Sequence, residues 1–132
     1  MAAQTANYGG IQSFVAGAAI TANRLVKLDS TAGQVIVTTA ITEQVVGIAL
    51  DTVASGELVS VLTMSGAKGK VTASAPISLG AEVMPTASGS GKCATAAGAT
   101  AVSCGIALSA AGADGDIIEV LLRPSVKSPA NS

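Results

Sequence analysis

The chain lacks most of the side chains that carry catalysis. It has no histidine and no tryptophan, one tyrosine and one phenylalanine, and only 11% charged residues among 132 positions. Without histidine, the Ser/His/Asp and Cys/His catalytic arrangements are excluded. Residues 89–93 contain a Gly-Lys pair but neither the earlier glycine nor the following Ser or Thr of a phosphate-binding loop. We therefore predict that the protein is not an enzyme and holds no cofactor or metal.

The few charges also limit the partners. Seven cations balance eight acids, and among the cations only Lys68 and Lys70 lie close together. A nucleic-acid partner requires a basic stripe or stacking aromatics, so none is expected. No run reaches the roughly 18 uncharged apolar residues of a membrane-spanning helix, and no signal segment is evident, so we expect no membrane partner. A mean hydropathy of +0.60 indicates an uncharged surface that other copies or another protein cover.

Two pairs of side chains have both a structural and a functional interpretation. Cys93 and Cys104 cannot form a zinc site without histidine. They form either a cross-strand disulfide or, as we prefer, two small buried thiols in a reduced cytoplasm. Asp114 and Asp116 flank Gly115, where a turn-forming role is favoured over a calcium site because no loop of oxygen ligands follows.

The most informative positive feature is an internal repeat. Residues 46–50, which end in Gly-Ile-Ala-Leu, return as residues 104–108, and residues 56–62 return as residues 115–121. A repeat of this length indicates one supersecondary unit that is used twice.

Short apolar runs bounded by glycine-rich turns predict strands rather than helices. The predicted strands are residues 24–28, 34–38, 45–50, 57–63, 70–73, 82–84, 92–94, 102–108 and 116–123. We predict an all-β fold, either a compact β-sandwich or a small β-barrel, built from two similar β units at about 20–62 and 77–121. A single domain is expected over residues 15–123, between a flexible N-terminal arm at 1–14 and a disordered tail at 124–132.

Alternation along the second strand of each unit separates two faces. Val59 and Val61, like Ile118 and Val120, are predicted to face the core. The opposite face is also largely apolar, so either the strand is covered on both sides or its outer face meets another subunit. The large apolar residues on that face are our first candidate contacts: Leu58, Leu62, Ile117 and Leu121.

The two aromatic residues of the protein, Tyr8 and Phe14, both lie in the leading segment, together with Ile11. In one interpretation, Phe14 begins the first strand and plugs one end of the core. In the other, the segment is an arm that becomes ordered on a partner, with Tyr8, Ile11 and Phe14 as its anchors. These three residues complete the set of predicted contacts with a partner or another subunit.

The ordered succession of motifs carries a resemblance that covers about residues 16–122. Its parts are residues 19–26, 46–50, 56–61, 66–71, 77–83, 105–108 and 115–120. In this order of elements the chain resembles the bacteriophage capsid cement, or head decoration, proteins. The resemblance implies a structural virion protein that is made in the host cytoplasm and stabilises the outside of the phage head by bridging major capsid protein subunits. It also implies a homo-oligomer, a trimer or alternatively a dimer, and no catalytic residues.

Two other functions stay open from the sequence: a tail or spike component of the virion, and a carbohydrate-binding β domain. The second requires exposed aromatic rings, which this composition does not favour. We expect binding where the two repeats differ, namely at Ser60 against Glu119, at residues 88–93, and at the arm that only the first copy has.

Overall fold

The computed structural model describes residues 10–63, 66–86, 90–98 and 100–127. Every regular element among them is a β-strand, which confirms the all-β prediction, and none of them is a helix that could cross a membrane. The strands are β1 (Ile11–Ala16), β2 (Arg24–Leu28), β3 (Gln34–Val37), β4 (Gly47–Ala49), β5 (Leu58–Leu62), β6 (Lys68–Thr72), β7 (Glu82–Pro85), β8 (Cys93–Thr95), β9 (Val102–Ala107) and β10 (Ile117–Lys127).

The first half of the chain forms a closed barrel with the strand order β1-β3-β2-β4-β5. Closure depends on β1, which pairs antiparallel with β5 and parallel with β3, where Ala16 lies opposite Val35. Inward-facing aliphatic side chains fill the barrel, and Val35, Val59 and Val61 are fully buried. A barrel of this size is filled by side chains alone, so small β-branched residues suffice for its core.

The second half repeats this arrangement. Its sheet has the strand order β6-β10-β9-β7-β8. The closed barrel, followed from β1 in the opposite direction, has the order β1-β5-β4-β2-β3, so the strands of the two halves correspond one to one in these orders. Even the closing contact recurs, because Ala73 forms an isolated parallel bridge with Cys93 as Ala16 pairs with Val35 in the barrel. The repeated sequence therefore encodes two β units with one topology.

One glycine in each half permits a close approach of two strands. A Cβ at Gly47 would collide with the carbonyl group of Leu62, and a Cβ at Gly105 would collide with that of Leu121. These glycines begin the repeated Gly-Ile-Ala-Leu motif. The repeat thus preserves the position at which any side chain would separate the paired strands.

The turn before β5 is built like the turn before β10. The Glu57 carboxylate accepts a hydrogen bond from the Ala54 N–H at 2.6 Å, and the Asp116 carboxylate accepts one from the Ala113 N–H at 3.1 Å. The glycine before each carboxylate has a positive φ, of 87° and 95°. Asp116 therefore has the predicted turn-forming role.

The two halves share one core. Leu25 and Ile48 of the barrel are fully buried in the cluster formed mainly by the second half. Gly69 faces Ile48 and Leu62 across the junction, where a Cβ would overlap both side chains. The segment that precedes β8 also joins the halves, because the Leu25 N–H donates to the Gly91 carbonyl at 2.7 Å. Gly91, within the stretch 88–93 where we expected binding, thus has a structural role.

Both ends of the domain differ from the expected boundaries. β1 begins at Ile11, inside the segment expected to be an arm, and β10 runs to Lys127, beyond the expected start of the tail at 124. The interpretation in which Phe14 begins the first strand locates β1 only in part, because Ile11–Ala16 does not alternate and its two partners are distant in sequence. β10 continues past Pro124 because its register with β9 shifts between Leu122 and Val126, at an irregularity that tolerates the missing N–H.

Candidate functional site

The predicted anchors in the leading segment have different environments. Tyr8 lies outside the described residues. Phe14 lies opposite Val59 and packs half-buried against the barrel core, which agrees with its interpretation as part of the first strand. Ile11 is exposed at the start of β1, opposite Leu62. Of the two described anchors, only Ile11 presents a large apolar surface outward.

The four predicted contacts on β5 and β10 divide into two equivalent pairs. Leu58 and Ile117, at matching positions of the repeat, are 68% and 54% exposed. Leu62 is half-buried because it packs against the shared core, and Leu121 is half-buried as well. Each strand is therefore central in its sheet, yet one end of its outer face is uncovered. The structure shows a covered outer face at Leu62, and contact of the exposed positions Leu58 and Ile117 with another subunit stays a prediction.

A second exposed leucine lies beside each of these residues. The Leu50 N–H donates to the Ser60 carbonyl at 2.8 Å, which places Leu50 diagonal to Leu58 on the outer face. In the other half, the Leu108 N–H donates to the Glu119 backbone carbonyl, also at 2.8 Å, which places Leu108 beside Ile117. We call Leu50 and Leu58 the first apolar patch, and Leu108 and Ile117 the second apolar patch.

Our sequence reasoning did not single out Leu50 and Leu108. Both end the repeated Gly-Ile-Ala-Leu motif. Alternation from the buried Ala49 and Ala107 could have placed them on the outer face, since the preceding alanine of each faces the core.

The surroundings of the two patches differ in charge. Next to the first patch, Ser13 of β1 lies opposite Ser60 of β5. At the matching position of the second half, Lys70 of β6 lies opposite Glu119 of β10. The Lys68 ammonium is 3.4 Å from the Glu119 carboxylate, and a groove of about 220 Å³ runs between these side chains over Gly69. The first outer face thus has the Asp51 carboxylate, which accepts from the Ser60 N–H at 3.1 Å, whereas the second carries a strip of two lysines and a glutamate.

A partly buried ion pair holds the loop between β3 and β4. The Glu43 carboxylate accepts hydrogen bonds from the Lys27 ammonium and from the backbone N–H groups of Thr39 and Ala40. Burial acts to raise the pKa of Glu43, but these donors outweigh it and lower the pKa to about 2. The carboxylate is therefore ionised at neutral pH and serves to fix the loop.

The two cysteines are free and buried. Burial raises the pKa of both thiols to about 12, and for Cys104 the nearby Cys93 adds to the effect. The Cys104 thiol donates to the Val83 carbonyl at 3.6 Å. These are the small buried thiols that we preferred over a disulfide, and they are poor nucleophiles. Among the described residues, no cluster of three or more acidic or cysteine side chains could hold a metal ion.

Comparison with known proteins assigns this arrangement to a family. A family model described as phage cement protein matches residues 6–123. The chain belongs to the phage cement protein family. A solved structure described as head fiber gp8.5 N base in bacteriophage phi29 is similar to this cement protein with a TM-score of 0.68 and 18% identity, over 89% of this chain and 98% of the other. No curated protein matches the chain.

Family membership confirms the resemblance found in the sequence. The fold is shared with a protein of a phage head fibre, although at 18% identity this likeness extends to the fold alone. The cement protein is thus a capsid-associated structural component of a phage virion. Its functional surfaces are those that contact other proteins, so the exposed patches are the features of interest.

Proposed function

We propose that the protein is a cement on the outer surface of the phage head, where it bridges neighbouring major capsid protein subunits and stabilises the shell. The observation that supports this proposal is the presence of one exposed apolar patch at the same position of each half. A bridging protein needs two contact surfaces. The internal repeat supplies two of similar chemistry within a single chain.

The patches are suited to weak contacts that are repeated many times. Complete burial of one leucine or isoleucine side chain stabilises a contact by about 1.5–3 kcal/mol, and the residues of the patches are only partly exposed before binding. Each patch therefore contributes on the order of 1–2 kcal/mol. On a lattice, several such contacts act together, so a modest individual affinity is sufficient.

The decisive experiment mixes purified protein with expanded, undecorated capsids and measures the bound copies per capsid against free concentration. We expect Leu58→Ser and Ile117→Ser each to weaken binding about 10-fold, because each removes the most exposed side chain of one patch. The double variant is expected to lose measurable binding.

Leu79→Ser is the matched control, because Leu79 is 70% exposed but belongs to neither patch. It is expected to bind like the wild type. Binding of the double variant at wild-type affinity would refute the role of the patches.

Bridging is tested separately by heating decorated capsids: at saturating concentration, a single-patch variant is expected to bind without raising the rupture temperature, because one of its two contacts is missing.

The proposed arm is tested in the same assay. A deletion of residues 2–9 leaves β1 intact, whereas a deletion of residues 1–14 would remove most of the strand that closes the barrel. We propose that Tyr8 anchors this arm on the capsid, so the shorter deletion is expected to fold and to bind more weakly.

Self-association into a trimer or a dimer is tested by light scattering, in which a strict monomer at high concentration would contradict it.

A further inference from the structure

The two halves differ most in charge at the groove between β6 and β10. In the barrel, the β1 and β5 positions at this place are Ser13 and Ser60. In the second half they are Lys70 and Glu119, with Lys68 two residues earlier on the same outer face. Because the backbone arrangement is repeated and the side chains are not, this groove has acquired a chemistry that the scaffold does not require.

The backbone of β6 offers free hydrogen-bonding groups beside the groove. The Leu122 N–H donates to the Ala67 carbonyl at 2.9 Å, and the Ala73 N–H donates to the Asp116 carbonyl at 2.7 Å. The odd-numbered residues of β6 therefore bond to β10, and the even-numbered ones direct their N–H and carbonyl groups toward the opposite edge.

Side chains of the barrel pack over Gly69, but on this edge the described backbone of the barrel bonds to β6 only at one end of the strand. The Thr72 N–H donates to the Asn23 carbonyl at 2.9 Å. Within the described part of the chain, the backbone groups of Lys68 and Lys70 on this edge have no hydrogen-bonding partner. A three-residue edge centred on Gly69 is thus open.

The charges at this edge are also available. The Lys68 and Glu119 side chains are 67% and 45% exposed, and an exposed pair at 3.4 Å contributes little stability and opens readily. Lys70 is exposed and forms no ion pair within the described part of the chain. By contrast, Lys92 is paired with Asp114 at 2.9 Å. With two lysines against one glutamate, the groove therefore carries a net positive charge.

We propose that the open edge of β6 is a docking site for an extended acidic segment of a partner protein. The segment adds a strand beside β6 and places two carboxylates, at positions i and i+2 of the segment, against Lys68 and Lys70. Alternate side chains of a strand share one face, so a segment with acids at alternate positions matches the two lysines. A second copy of this edge does not match, because lysines would then face lysines. The proposal does not depend on the apolar patches.

The test uses a blocked seven-residue peptide in which valine alternates with two glutamates, and two matched peptides with lysine or serine in place of glutamate. Binding to the full chain is followed by backbone amide NMR shifts. We expect the glutamate peptide to bind at least about 10-fold more tightly than either of the others, to weaken with added salt, and to shift the amides of residues 67–72.

Substitutions then separate charge from fold. Lys68→Ser with Lys70→Ser, which removes both cations of the groove, is expected to reduce the affinity for the glutamate peptide at least about 10-fold. Lys92→Ser is the control and is expected to leave it unchanged. Equal binding of the glutamate and serine peptides, unchanged affinity of the double variant, or shifts confined to other strands would overturn the proposal. Capsid binding by the patch variants would be unaffected by such a result, so the two proposals fail independently.

Discussion

The two halves of this protein share a backbone but not an outer surface. The strand order, the glycines that permit close approach and the turn carboxylates all recur. The exposed side chains next to the patches do not recur, since Ser60 stands where the other half has Glu119. The comparison teaches that the repeated residues satisfy backbone geometry, whereas the residues that differ are free to determine which partner binds.

The halves also differ in how they are closed. In the barrel, β1 and β3 pair at two successive positions, Val15 and Ala16. In the second half the same place has one bridge, between Ala73 and Cys93. The open edge of β6 lies nearer the start of the strand, at residues 68–70, before this bridge.

The largest effect is expected where the halves are most alike. Gly47→Ala and Gly105→Ala each introduce a Cβ against a backbone carbonyl that cannot move without breaking strand pairing. We expect each to reduce the free energy of unfolding by about 3 kcal/mol in denaturant titrations. Gly112→Ala is the control, since its nearest neighbour would be 3.5 Å away. A large loss of unfolding free energy from only one of these two substitutions would show that the two glycines do not have equivalent structural roles.

A smaller loss of stability is expected from substitution of Glu43, which fixes a loop in the barrel half of the chain. Its pKa is about 2 in the folded protein against an ordinary value of 4.5, so below pH 4.5 the unfolded chain binds more protons. The stabilisation is therefore complete above pH 4.5 and is lost as the pH falls through about 2. Glu43→Gln is expected to cost about 1–2 kcal/mol at neutral pH.

The same variant provides the check on this assignment. Free energies of unfolding measured between pH 5 and pH 2, a window chosen to span the shift, are expected to fall less steeply for Glu43→Gln than for the wild type. Equal slopes for the two proteins would mean that another carboxylate governs the acid response.

The smallest effect is expected where one half is made to resemble the other. Cys93 occupies the place of Val35, as the two closing contacts show. Cys93→Val is therefore expected to change the free energy of unfolding by less than about 1.5 kcal/mol, because it keeps an apolar side chain in a strand core. Cys93→Ser, which buries a hydroxyl group, is expected to cost more. The reverse order would mean that the two cores are shaped differently at this position.

The sequence was sufficient for features that depend on neighbouring residues. The repeat, the glycine-rich turns and the inward direction of Val59 and Val61 all follow from local spacing, and the structure confirms them. β1 was predicted only in part, from the interpretation of Phe14, because its strand character comes from pairing with β3 and β5 rather than from its own pattern. Leu58 and Leu62 share one face, yet only Leu62 packs on the core. That difference depends on how two distant units meet, which local spacing does not encode.

The shared core has a consequence for how the molecule unfolds and how it could have arisen. Leu25 and Ile48 belong to the barrel by sequence but complete the interior of the other unit. Unfolding of the second unit would expose them, and unfolding of the barrel would withdraw them from the second unit's core, so we expect a single cooperative transition rather than stepwise melting. The second copy of the motif has in this way become dependent on the first, because the first copy now supplies part of its interior.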